Sequence, residues 1–409
     1  MIGFIRLPRK IIHEKLHLLI CLCIAFSLPL TGRTPVFITL LLLNWLIEGG
    51  LKLKFQRIFE NKFALLFIAF YGLHLLGLLY TKNTDAGLFN LQVKLSILIF
   101  PLILFSRPLG KEAIQKVFYA LIAGCIVSAI IMLIRATYLY ISFDENNFYY
   151  ELFSSFLIHP GYLALYLNFA IAWLLVGLSN NRFLARKNEV NYAILVLFFF
   201  SVIEVMLISK LGLISMTLLY LGFLILYVVS RKKYLFGITG LIAMALLAFG
   251  AFKLFPKVSE RITNVISAVK KDNPDNANAE STAVRLLIWK AANQVISENF
   301  WIGTGTGDVQ DKLVKEYEKR GMAGAIEHNL NAHNAYYQVF LALGVSGLIL
   351  LLADLLIPLG FSIRTANSVY TLFLLLIILN SLTESILETQ AGVMFYAFFN
   401  SILCAEDEK

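Results

Sequence analysis

The sequence predicts an all-α integral membrane protein of about twelve transmembrane helices. Three observations lead there. The 409 residues are 59% hydrophobic and only 15% charged, against roughly 25% charged residues in a soluble domain. Apolar runs of membrane-crossing length recur from one end to the other, giving a mean hydropathy of +0.75; a spanning helix needs about 20 mostly apolar residues. The basic residues collect in alternate connections, the pattern of cytoplasmic loops.

In chain order the apolar runs are residues 16–31, 35–49, 63–80, 91–106, 117–141, 157–178, 191–208, 211–229, 234–253, 335–360, 368–384 and 388–404. Arg6, Arg9, Lys10 and Lys15 precede the first run in the manner of a signal sequence. More runs follow at once, so an uncleaved first span is expected. The last two runs share one apolar stretch that "SLTESILET" interrupts.

Charge tests this count. With the N-terminus cytoplasmic, the inner connections hold Arg6, Arg9, Lys10 and Lys15; Lys52, Lys54, Arg57 and Lys62; Arg107, Lys111 and Lys116; Arg182, Arg186 and Lys187; Arg231, Lys232 and Lys233; Arg364; and Lys409. The outer turns and outer helix ends hold only Arg33, Lys82, Lys94, Arg135 and Lys210, and two of those turns, "TKNTDAG" and "SFDENNFYYE", carry acid. A missed span would invert every later connection, and no inversion occurs. Both termini are therefore expected in the cytoplasm. The expected organisation is residues 1–253 with spans one to nine, an external loop over 254–334, and residues 335–409 with spans ten to twelve and a cytoplasmic tail.

Within that loop "KKDNPDNANAES" is breaker-rich and reads as a turn. Val284, Leu287, Ile288, Ala291, Val295 and Ile296 then repeat at helical spacing, with Ser281 or Thr282 as the N-cap. A second loop helix begins at Asp308 and ends near Gly321. No fixed-period repeat is present.

The net charge of +9 does not indicate nucleic acid, which requires basic side chains clustered on a soluble face. Cys21, Cys23, Cys125 and Cys404 all fall in apolar runs, without ligand or disulfide spacing. His328 and His333 are off helical register with no nearby third ligand. No metal and no cofactor are expected.

Ionisable groups are costly in a bilayer, so each is a functional candidate. Lys94, Arg135, Glu204, Lys210 and His159 fall at outer span ends or turns, and Arg285 and His333 in the outer loop; Asp354, near the inner end of span ten, is the exception. Any single Lys or Arg there can simply snorkel to the headgroups, and Glu204 with Lys210 can be a plain ion pair closing a hairpin. Several cations at one membrane level suit an anion site, where they would stabilise phosphate charge with little competition from water. "GTGTGD" (Gly303 to Asp308) reads first as a tight positioning turn and only second as a phosphate cradle, since Asp308 would repel an anion. A solute transporter or lipid-linked sugar flippase is the rival class, but transporters place polar sites near the midplane between repeats.

"AVRLLIWKAA", "FWIGTGTGD" and "AHNAYYQVFLALGVSGLI", in that order, resemble the O-antigen ligase and polymerase family, as do "HPGYLALYLNFAI" and "NLQVKLSILIFPLIL" upstream. The resemblance implies a GT-C-like membrane fold in a bacterial inner membrane, with a periplasmic active site. It also implies transfer of an undecaprenyl-pyrophosphate-linked glycan, without metal, to an acceptor hydroxyl: lipid A–core in a ligase, a growing glycan in a polymerase, or a protein. By position, His333 matches the family's loop-exit histidine and Arg285 its loop arginine. Ser209 and Lys210 stand where the family tends to carry Ser-Arg, and lysine lacks arginine's bidentate fork. On this resemblance His333 is the general base. Arg285 and Lys210 are the expected pyrophosphate-binding cations, and topology adds Arg135 and Lys94 to compensate for the missing fork, with His159, Glu204 and Asn334 secondary. Asn334 is expected to cap the following helix.

Overall fold

The computed structural model describes residues 9–30, 32–180, 187–232 and 282–407. Among them every apolar run forms helix and no strand occurs, as backbone groups without water must bond within their own segment. The helices are α1 (Arg9–Ser27), α2 (Thr34–Glu48), α3 (Leu51–Glu60), α4 (Lys62–Leu78), α5 (Thr84–Ser106), α6 (Lys111–Phe143), α7 (Tyr150–Ser154), α8 (Pro160–Asn180), α9 (Lys187–Leu207) and α10 (Lys210–Arg231). After the undescribed segment come α11 (Thr282–Glu298), α12 (Val309–Lys319), α13 (Ala323–Glu327), α14 (Ala335–Arg364), α15 (Ser368–Ser381), a 3₁₀ turn (Ile386–Glu388) and α16 (Gln390–Asp407).

The expected ninth span, 234–253, lies outside the described residues, as does the loop through Ser281. Six described helices are long and apolar enough to cross a membrane, or up to seven if the bent pair α2–α3 is one span. Others of the twelve expected spans fall on shorter or bent apolar helices. The helices of α4, α15 and the apolar part of α16 are shorter than a full span. The α2–α3 pair turns by 114° at Gly49 and Gly50, both with positive φ.

Burial separates a protein core from a lipid-facing rim. Helix α8 is apolar on all sides and largely buried, packing against α6, α9, α10 and α15. Helices α9 and α10 instead leave Leu195, Phe198, Leu226 and Val229 exposed, an arrangement suited to acyl chains rather than water. Asp354 is fully buried, and neither carboxyl oxygen has a hydrogen-bond partner among the described residues.

The run expected to form one continuous span over 335–360 is broken. Gly344 has φ 64° and ψ −160°, well outside the helical region. Residues from the loop fill the break: Thr304 N–H donates to the Leu341 carbonyl at 2.8 Å, Gly305 N–H to Ala342 at 2.9 Å, and Val345 N–H to Phe300 at 2.9 Å. The freed backbone groups of the helix are thus satisfied by the loop, as a break at membrane depth requires. The same turn reaches across to α4 and α5. Thr306 Oγ1 donates to the His74 carbonyl at 2.6 Å, and Asp308 accepts from Lys82 N–H and Asn83 N–H. "GTGTGD" is therefore a positioning turn whose donors are engaged with the chain itself. Asp308 serves the start of α5 instead of capping its own helix.

Candidate active site

Helix α14 starts at Ala335, and the preceding residues are held in place from both sides. Asn334 Oδ1 accepts from Tyr337 N–H at 3.0 Å, the expected N-cap, which satisfies an otherwise orphaned donor. Its Nδ2 donates to the Leu382 carbonyl at 2.9 Å, and its backbone N–H donates to Ser385 Oγ at 3.1 Å. Trp289 Nε1 of α11 donates to the Ala332 carbonyl at 2.9 Å, and its ring stacks on Tyr337. Between these anchors His333 has φ 44°, a left-handed conformation uncommon for a residue with a side chain. Its N–H is taken by Asn331 Oδ1 at 2.8 Å.

The second half of the site is the turn between α15 and α16. Ile386 and Leu387 are buried and anchor it, and Ser385 Oγ donates to Asn331 Oδ1 at 3.3 Å. Glu384 is thereby placed between two of the expected site residues. Arg285 Nη2 donates to Glu384 Oε1 at 2.8 Å, and Arg285 Nη1 donates to the neighbouring Thr383 carbonyl at 2.7 Å. His333 Nδ1 lies 3.7 Å from the other oxygen, Oε2. Burial works against the Glu384 charge, but the nearby His333 ring and the positive charge of Arg285 outweigh it and hold the carboxyl below the usual carboxylate range. His159 is exposed. With Tyr162, Asn380 and Ile386 it lines a small crevice that Glu384 also borders.

Arg285, His333 and His159 are thus gathered around one carboxylate. The other candidates stand differently. Lys94 is 2% exposed and pairs with Glu388 Oε1 at 2.8 Å, so its charge is already met by an acid of the chain. Arg135 donates to the Leu152 carbonyl at 3.1 Å and lies 4.4 Å from the centre of the Phe156 ring, tying α6 to the segment around α7. Lys210 opens α10 at an exposed position. Glu204 is fully buried and accepts from Asn168 Nδ2 at 2.9 Å; its Oε2 has no hydrogen-bond partner among the described residues.

Glu384 and Glu388 escaped the sequence reading, which treated "SLTESILET" only as an interruption of two spans. A signal was present. Two carboxylates four residues apart between apolar runs, at an expected outer turn, are costly groups of the kind that mark sites. Among the described residues no group of three or more His, Cys, Asp or Glu side chains is arranged to hold a metal ion. The two aspartates of "KKDNPDNANAES", Asp272 and Asp275, lie outside the described residues.

No curated protein matches the chain. Residues 193–352, which include Lys210, Arg285 and His333, match the family described as O-antigen ligase, the family that the loop motifs resemble.

Proposed function

We propose that this protein transfers a glycan from undecaprenyl pyrophosphate to a hydroxyl of lipid A–core, at the periplasmic face of a bacterial inner membrane, with inversion and without a metal. The observation that carries this reading is the convergence of Arg285 and His333 on Glu384, from separate connections, in a chain whose 193–352 segment matches the O-antigen ligase family. The full layout proposed with it has twelve spans in a GT-C-like arrangement, a periplasmic loop over 254–334 and both termini cytoplasmic.

In this mechanism the His333 imidazole takes the acceptor hydroxyl proton. The hydroxyl oxygen attacks the anomeric carbon, and the bond to the pyrophosphate oxygen breaks with its electron pair leaving on pyrophosphate. Attack from the side opposite the leaving group inverts the anomeric configuration. Arg285 suits the departing charge. Its Nε is buried with no hydrogen-bond partner among the described residues; an unmet buried donor is rare, and this one supports an acceptor on the ligand. Lys210 and Arg135 would add positive charge at the same membrane level. Lys94 would act through its pair with Glu388.

Purified protein in lipid nanodiscs, given carrier-linked glycan and lipid A–core, is expected to form the glycan–core product equally well with and without a chelator. Extension of the carrier-linked glycan instead would make it a polymerase, and passage of glycan across the bilayer unchanged would make it a transporter. Loss of product with chelator, restored by magnesium or manganese, would overturn the metal-independent mechanism. In the same assay Arg285→Ala is expected to raise the donor KM roughly 10- to 100-fold, because a charge-assisted bond contributes about 1.5–3 kcal/mol. Arg285→Lys should recover part of that loss, keeping the charge without the fork. An unchanged donor KM in Arg285→Ala would remove Arg285 from the donor site.

A further inference from the structure

We propose that Glu384 is a positioning residue for His333: its carboxylate holds the imidazole with the proton on Nδ1, so that Nε2 is bare and faces the acceptor hydroxyl. This rests on the glycan-transfer reading above and adds to it the group that selects the reactive tautomer. Geometry carries it. Oε2 is 3.7 Å from His333 Nδ1, and hydrogen bonds of catalytic groups are often long before substrate binds. Oε1 is fixed at 2.8 Å by Arg285, which leaves Oε2 as the oxygen turned to the ring. The backbone on each side of the imidazole is held as well, by Asn331, Trp289 and Ser385, so the ring has little freedom except rotation about its own side-chain bonds.

The titratable and charged groups facing Glu384 are Arg285 from α11, His333 from the start of α14 and His159 from the start of α8. The guanidinium of Arg285, in direct contact with Oε1, favours an ionised Glu384, so the carboxylate is a poor proton acceptor itself. The proton from the acceptor hydroxyl goes to Nε2, the ring becomes imidazolium with Nδ1–H still directed at Oε2, and Glu384 stays deprotonated throughout. A carboxylate behind an imidazole fixes the tautomer and stabilises the cation formed in the transition state.

Glu384→Gln separates this role from simple packing, because glutamine is isosteric. Arg285 demands an acceptor and would claim the single amide oxygen, turning the amide NH₂ toward Nδ1. The ring must then accept at Nδ1 and carry its proton on Nε2, the nitrogen that has to receive the hydroxyl proton. With ¹⁵N-histidine labelling of the full-length protein, neutral His333 is expected to show Nδ1 protonated in the wild type and Nε2 protonated in Glu384→Gln. The kcat should fall on the order of 10²-fold or more while the donor KM changes far less. Glu384→Asp, which keeps the carboxylate with a shorter reach, should retain the wild-type tautomer at a lower kcat; it also serves if the glutamine variant fails to fold. A wild-type ring protonated on Nε2, or an unaltered tautomer and kcat in Glu384→Gln, would overturn the proposal. The tautomer is read without turnover. A wild-type protein that transfers no glycan therefore sinks the functional reading alone, and a wrong tautomer in an active protein sinks the role of Glu384 alone.

Discussion

His333→Ala is expected to lower glycan transfer by about 10²- to 10⁴-fold, the range lost with a general acid–base group, while the protein stays folded. The side chain is about a quarter exposed and its side-chain partner among the described residues is Glu384, so little packing goes with it. The backbone anchors are untouched, since the Asn331 contact uses the His333 N–H. Alanine at φ 44° carries a strain similar to that of histidine. Glycine carries none there, so His333→Gly should be about 1 kcal/mol more stable than His333→Ala and equally inactive. Thermal unfolding in detergent together with the transfer assay checks both statements. Near-normal transfer by a stable His333→Ala protein would take the imidazole out of the proton-transfer step.

The helical class and the location of the loop motifs were legible because they depend on local properties: apolar run length, spacing at 3.6 residues, and caps such as Asn334. Arg285 and His333 could be named as well, because both lie on motifs. What joins them was not legible. Glu384 lies 99 residues after Arg285 in a segment that reads as an interrupted span, and only tertiary packing of the turn after α15 against the start of α14 brings it to the ring. Lys94 shows the reverse case. Its position at an outer span end suggested a free cation, but the counter-ion Glu388 is 294 residues away, beyond anything a pattern along one helix reveals. Helix lengths were less legible for a related reason, since composition registers how apolar a run is but not where tertiary contacts bend or end the helix.

Gly344→Ala is expected to cost several kcal/mol of stability and to reduce transfer with it. The glycine has φ 64° and ψ −160°, a region that only glycine occupies readily. A Cβ there would lie 2.5 Å from both the carbonyl carbon and the oxygen of Trp301. Those are backbone atoms, so no side-chain rotation relieves the clash. The chain would have to expel the 300–305 segment, leaving the Leu341 and Ala342 carbonyls and the Val345 N–H without the partners that now satisfy them. Each such group unmet in hydrocarbon costs several kcal/mol. Activity should follow because the short helical segment before the break begins at Ala335, two residues after His333, and a change in its direction would carry the imidazole away from Glu384. Gly360 supplies the control: it lies in the same helix with open space where a Cβ would stand, and Gly360→Ala should be neutral or mildly stabilising, by about 0.5–1 kcal/mol. Equal unfolding midpoints and equal transfer rates for the two variants would show that the break at Gly344 has no part in holding the site.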